Sequence, residues 1–166
     1  MSLLSPHPIW VTAGSSPTKV AMATQQARLL SGRYRTEALA SHWTHSSGTC
    51  SLSLSCATVE DIDHFLKHCI ALRTTRENLF SFTETYCKSH PVITNIIQTY
   101  CKPGTECRLF VQFILDCSVL PEVIAAVQTF GNEVLNHLFN ITRIWCYSLH
   151  RERLKLLGRW RNFAKT

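Results

Sequence analysis

The sequence predicts an all-α or nearly all-α fold: a small helical domain with one cysteine-rich loop and a long basic C-terminal helix. Apolar residues recur at three- and four-residue spacing along most of the chain, the pattern of helix faces that pack on one another. Proline, glycine and serine cut those stripes into helix-length pieces. A chain of 166 residues that is 45% apolar is also long enough to bury a core as one domain.

Taken in order, the opening MSLLSPHPIW lacks the basic start and long apolar run of a secretory signal, so residues 1–15 read as a flexible leader. Pro17 opens a helix over 17–30 with Val20, Ala23, Ala27 and Leu30 on its apolar face, stopped by Ser31-Gly32. Short helices are predicted over 36–43 and 59–66. A longer one spans 74–89, in which Leu79, Phe82 and Tyr86 repeat at three and four. Pro91 restarts the chain into a helix over 92–100, and Pro103-Gly104 marks a turn. Two apolar helices follow, over 106–117 and 121–131, joined at 118–120, with Pro121 suited to a first turn. The last helix runs over 132–157 with Val134, Leu138, Ile141, Trp145 and Leu149 on one stripe. The resulting organisation is a leader, a helical region over 16–89 that holds the cysteine loop, and a helical tail region over 90–166. Asp116, Pro121 and Glu122 interrupt the most apolar stretch, 109–130, and argue against a membrane span of about 20 residues. A soluble intracellular protein is expected, with nucleus and cytoplasm both open.

The narrowest chemical signal is CSLSLSCATVEDIDHFLKHC, in which Cys50, Cys56, His64 and Cys69 are spaced C-x5-C-x7-H-x4-C. Zn²⁺ takes four tetrahedral nitrogen and sulfur ligands, so a loop must deliver one pair and a second element the other. Gly48 and the serine-rich run 46–55 supply a pliable knuckle for two thiolates, and the helix over 59–66 carries His64 toward them. Four protein ligands leave no open position, so such a zinc is structural. The first gap, of five residues, is wider than the two to four that structural sites favour. His68, four residues after His64 on the same helix face, is the substitute ligand. The plain alternative is that these thiols are small hydrophobes in a compact loop.

Eight cysteines in a chain without a secretory signal suggest thiols or metal rather than a disulfide framework. Cys87, Cys101, Cys107, Cys117 and Cys146 are scattered through apolar helical segments, and most of them are expected to be buried. Cys87, His90, Cys101 and Cys107 form a conceivable second ligand set.

Charge is concentrated at one end. Residues 1–142 hold ten Lys/Arg and ten Asp/Glu, whereas 143–166 hold seven and one, so the formal net charge of +6 lies in the last segment. Arg151, Arg153, Lys155, Arg159 and Arg161, interleaved with Trp160 and Phe163, combine phosphate-pairing groups with rings that can stack on bases. Arg33 and Arg35 flank Tyr34 in a second basic cluster, with Lys67, Arg73 and Arg76 beyond it. Basic residues late in a helix also complement its dipole, and the Arg33–Arg35 run could equally clamp the first helix against Glu37 or the cysteine loop. No nucleophile elbow, phosphate-cradling glycine loop or HExxH pair is present, so no enzymatic role is expected.

The run LLSGRYRTEALASHW, followed by GTC, the second cysteine, VEDIDHFLKHC and LRTTRENL, resembles the CCHC-type zinc-binding region at the C-terminal end of non-LTR (LINE-type) retrotransposon reverse transcriptases. The stretches FVQFILDCSVLPEVIAAVQTFG and RIWCYSLHRERLKLLGRW resemble the tail that follows it in animal elements. Together these cover residues 16–160. The resemblance implies a module that holds RNA or an RNA–DNA hybrid during target-primed reverse transcription, with a polymerase domain normally upstream as its partner. This chain has no Tyr-x-Asp-Asp strand, and Glu60, Asp61 and Asp63 fit a helix start better than a two-metal site. It departs from many such proteins in the longer insert between its first two cysteines. A helical protein-interaction domain stapled by the same zinc is the competing expectation.

Overall fold

The structure, a computed structural model, describes residues 5–102 and 108–163, with side chains as far as residue 158. It is helical, and among the described residues the only β-pairing is an isolated antiparallel bridge between Thr49 and Val59. The helices are α1 (Pro8–Val11), α2 (Pro17–Leu30), α3 (Glu37–Ala40), α4 (Arg73–Ser89), α5 (Thr94–Tyr100), α6 (Phe110–Leu115), α7 (Pro121–Phe130) and α8 (Glu133–Phe163).

Helix α8 is the axis, with α2, α4, α6 and α7 packed around it. Val134, Leu138, Ile141, Trp145 and Leu149 are fully buried, as their stripe predicts, and Phe139 and Cys146 bury a second side of the same helix. Trp145 is the largest of these side chains. Its indole N–H donates to Thr83 Oγ1 on α4 at 3.0 Å, and its ring meets Phe80 and Phe110 edge-on. A buried tryptophan needs such a partner for its one polar atom.

Three expectations about the elements are corrected. The leader is not loose where it is described: α1 buries Ile9, Ala13 follows it into the core, and the Arg143 guanidinium of α8 donates to the Thr12 carbonyl and hydroxyl. In α2 the buried line is Ala23, Gln26 and Leu29, while Val20 and Leu30 are exposed. A polar residue turns that face inward, because Gln26 Nε2 donates to the Ile114 carbonyl at 2.8 Å and to Thr142 Oγ1 at 2.9 Å. The helix expected over 59–66 is replaced by the Thr49–Val59 bridge and a π-helical turn, His64–His68.

The start and end of α2 follow local chemistry. Ser16 Oγ accepts from the Lys19 N–H ahead of Pro17 at the first helical position. At the other end Gly32 takes φ +68° and closes a Schellman motif, with Arg33 N–H on the Arg28 carbonyl at 2.9 Å and Gly32 N–H on that of Leu29 at 3.1 Å. Helix α6 is shorter than expected. The turn at Pro103-Gly104 and Cys107 of the second ligand set lie outside the described residues. The boundary drawn between residues 89 and 90 does not divide the core, since one apolar cluster runs from Ile9 to Leu149. Phe110, Phe113, Ile114 and Val123 of the apolar pair α6 and α7 belong to it. Among the described residues no helix is long and apolar enough to cross a membrane.

Candidate metal centre

The knuckle is a pinched loop. The Cys50 N–H donates to the Thr58 carbonyl at 2.8 Å and the Glu60 N–H to that of Gly48 at 2.9 Å, so the chain returns on itself across the Thr49–Val59 bridge. Gly48 makes this possible in two ways. Its φ is +69°, and a Cβ there would stand 3.2 Å from the Ala38 Cα. Within the loop, Leu52 is buried as an anchor and Cys56 N–H bonds to the Ser53 carbonyl at 3.0 Å. Asp61 Oδ1 then accepts from the His64 N–H at 2.7 Å, which starts the turn that aims the imidazole inward. Cys69 follows where that turn ends, its own N–H on the His64 carbonyl.

The ligand atoms of Cys50, Cys56, His64 and Cys69 all lie within 4.8 Å of one another, and all four residues are buried. Cys50 Sγ stands 3.8 Å from Cys69 Sγ, and Cys56 Sγ 3.3 Å from His64 Nε2. This set could hold one metal ion. His64 therefore joins the cluster, whereas His68 is exposed and pairs with Asp63 at 3.2 Å. No second group of three or more such donors converges among the described residues. Cys87 and Cys101 are buried, and His90 stacks on Tyr86 instead.

Burial works against the charged forms of the site's own groups. Burial pushes the Cys50 and Cys69 thiols up, and the two raise Cys50 further by their proximity. Burial also holds His64 below the ordinary histidine value, and its Nδ1 is buried without a hydrogen-bond partner. A divalent cation suits the thiols and the ring nitrogen that face one another here, since it binds thiolate and neutral imidazole.

Two arginines assigned by sequence to a nucleic-acid surface belong to this centre. Arg76 is buried beside the sulfurs and donates from Nη2 to the Cys69 carbonyl at 2.6 Å. Burial lowers its pKa while the charges of Cys69 and Cys56 act to raise it, the relation of a counter-charge to thiolates. Arg153 of α8 is also buried. It grips Glu60 with two bonds of 2.8 Å, from Nε and Nη2, and lies 5.8 Å over the Tyr34 ring. Burial alone would lower the Arg153 pKa, but the Glu60 hydrogen bonds and charge outweigh it and the net shift is upward. Glu60 Oε2 also accepts from the Glu37 N–H at 2.7 Å, so one carboxylate ties the knuckle to α3 and α8. Neither arginine is available to a phosphate. No local signal could have revealed a pair separated by 93 positions.

Most of the other basic residues assigned to that surface are solvent-facing where they are described. Arg33, Arg35, Arg73, Arg151 and Lys155 are exposed, with Arg151 over the Tyr147 ring and Lys155 bonded to Glu152. Lys67 is half-buried and pairs with Asp63 at 3.8 Å. Arg159 and Arg161 lie on α8 beyond the described side chains. Between the two arginines, Tyr34 is buried, stacks on Phe65 at 5.0 Å and shares a 3.0 Å hydrogen bond with His150 Nδ1. No known protein family, curated protein or solved structure matches this chain. The likeness to reverse-transcriptase tails rests on the sequence motifs alone.

Proposed function

We propose that this chain is a non-catalytic zinc module, derived from the tail of a LINE-type reverse transcriptase, that holds RNA or an RNA–DNA hybrid through its exposed basic residues. The observation that carries the reading is the convergence of three buried cysteines and one histidine within 4.8 Å. Thiolate sulfurs about 2.3 Å from one tetrahedral ion stand about 3.8 Å apart, and soft sulfur donors with imidazole select zinc over magnesium or calcium. The Cys50 to Cys69 separation of 3.8 Å suits that geometry. Three thiolates and a neutral imidazole around Zn²⁺ leave one negative charge, which the adjacent Arg76 guanidinium offsets. With four protein ligands the metal supplies fold rather than catalysis, fixing the loop between α3 and α4.

Exposed Arg33, Arg35 and Arg73 around the knuckle, and Arg151 and Lys155 on α8, support phosphate contact with weak sequence preference. A polymerase domain upstream of the module is the partner that the motifs imply. The test is zinc content by mass spectrometry together with binding of a labelled RNA across a salt series. One zinc per chain and a steep fall of affinity with salt support the reading. A zinc-free protein, or RNA binding that ignores salt, refutes it.

A second reading is favoured by one feature. A groove of about 840 Å³ lies between α4 and α5, with Phe80, Cys87, Ile97 and Cys101 among its lining and Glu77, Glu84, Lys88 and Lys102 beside them, and fits a helical protein-interaction domain stapled by the same metal. In that case no salt-dependent RNA binding is seen.

A further inference from the structure

The RNA-holding reading leaves open where a strand would lie, and the tail of α8 is not the best-built surface for it. Two clefts of about 360 and 470 Å³ share Arg33, Arg35 and Ala40 and so form one groove. One end is floored by His150 beside Arg28, and the other ends at Trp43. The backbone explains why these groups converge. The Schellman motif bonds the Arg33 N–H to the Arg28 carbonyl, which brings the two arginines to the same end of α2. Tyr34 is anchored in the core between Phe65 and His150, and both of its neighbours, Arg33 and Arg35, are exposed. Among the described residues none of Arg28, Arg33 and Arg35 is in an ion pair with a carboxylate. The one acid in the lining, Glu37, is already engaged by Ser51 Oγ at 3.2 Å and lies 3.8 Å from Arg153.

Trp43 is the unusual member. It is 75% exposed, on the turn after α3, where an apolar ring of that size contributes nothing to the core. Among the described residues its one ring neighbour is His42, edge-on at 6.3 Å. An exposed indole beside unpaired arginines is the combination by which proteins hold single strands: the ring stacks on a base and the guanidinium groups take the phosphates. A duplex offers no free base face, so the same ring does little for paired RNA.

We infer that single-stranded RNA runs through this groove, one base stacked on Trp43 and the adjoining phosphates held by Arg35, Arg33 and Arg28. This rests on the RNA-holding reading and adds to it the strandedness of the ligand and the residues that hold it. Tyr34 and Phe65 tie the groove floor to the π-helical turn that bears His64, so the knuckle sets the positions of Arg33 and Arg35.

The experiment uses the full zinc-loaded chain and a fluorescent twelve-nucleotide oligouridylate, titrated by anisotropy at several salt concentrations. It compares wild type with Trp43→Ala, Trp43→Phe, the pair Arg33→Ala and Arg35→Ala, and the tail pair Arg151→Ala and Lys155→Ala. Melting temperature and zinc content are read on every variant. The expected result is a loss of about tenfold for Trp43→Ala with an unchanged salt slope, and substantial recovery in Trp43→Phe. The Arg33 and Arg35 pair should lower the slope by about 1.4, the share of two single-strand phosphates. If wild type binds the oligonucleotide but only the tail pair weakens it, the groove is overturned while the RNA-holding reading stands. Tighter binding of a duplex of the same length also overturns the groove. If wild type binds no RNA at all, both fall together.

Discussion

The knuckle and the bundle around α8 bury cysteines to opposite ends. In the bundle, Cys117 and Cys146 are fully buried among apolar side chains, and burial pushes both thiols up with no opposing cation. They act as small hydrophobes. In the knuckle, Cys50, Cys56 and Cys69 are also buried but face one another and an imidazole across less than 5 Å. The bundle is held by long helices with wide apolar faces, whereas residues 48–69 have one bridge, one π-helical turn and a few anchors such as Leu52 and Phe65. Thiol burial therefore does not identify a ligand; convergence does. On the zinc reading proposed above, a metal bound by these donors would help order a loop that has few apolar anchors of its own.

The largest effect should come from separating the two regions by chelation. If zinc fills the knuckle as proposed, removing it forfeits a binding free energy on the order of 10 kcal/mol, and replacing Cys69 by serine forfeits part of that. Amide exchange should then lose protection over 48–69 while α8 amides around Trp145 keep theirs. Simultaneous loss in both regions would show that they fold as one unit.

Trp145→Ala attacks the other side of the comparison. The substitution leaves a cavity bounded by Phe80 and Phe110 and removes the donor to Thr83 Oγ1, which keeps its own bond to the Leu79 carbonyl, and should cost about 3–5 kcal/mol in chemical denaturation. Folded Trp145→Ala protein should still carry one metal per chain. Leu54→Ala is the control within the knuckle: the side chain is 89% exposed, so the midpoint should hardly move.

Glu60→Gln tests the seam between the regions. It leaves the buried Arg153 guanidinium with only the more distant Glu37 carboxylate, 3.8 Å away, as counter-charge, and breaking a buried pair from one side costs up to about 3 kcal/mol. Combining Glu60→Gln with Arg153→Met should recover part of the loss. Additivity of the two changes would mean that the pair is not the seam.

Most of the bundle was legible in the sequence because helical periodicity reports an apolar face directly. The α8 stripe and the limits of α2 follow from it, with Ser16-Pro17 and Gly32 as punctuation. What periodicity could not show is a face carried by polar atoms, as at Gln26, or a short docked turn such as α1. The four donors were legible from residue type and spacing. The role of the surrounding charges was not: Arg76 and Arg153 look like surface cations until Cys69 and Glu60 are brought beside them. Trp43 lay within the quoted motif, yet only its exposure next to Arg33 and Arg35 sets it apart from a core tryptophan.

The smallest predicted effect is a pH dependence contributed from within the bundle. His137 of α8 shares a 2.9 Å hydrogen bond with the Tyr86 hydroxyl, and its ring lies 4.2 Å from that of His90. Burial, then the proximity of His90, holds its pKa below the ordinary 6.5, against the opposing charge of Glu133. The fold thus favours the neutral imidazole. Its contribution to stability is fully present above pH 6.5 and is lost as pH falls through the lower folded value. His150 is depressed in the same sense, by burial and then by Arg153, Arg28 and Arg151, so the wild-type acid limb sums at least two groups. His137→Gln, which still offers Tyr86 a hydrogen-bonding partner, should flatten part of the fall in melting temperature between pH 7 and about pH 5. Because His137 is remote in sequence from the ligands, metal content at each pH should match wild type. A changed metal titration in this variant would mean that the two regions are coupled more tightly than their separate means of burial suggest.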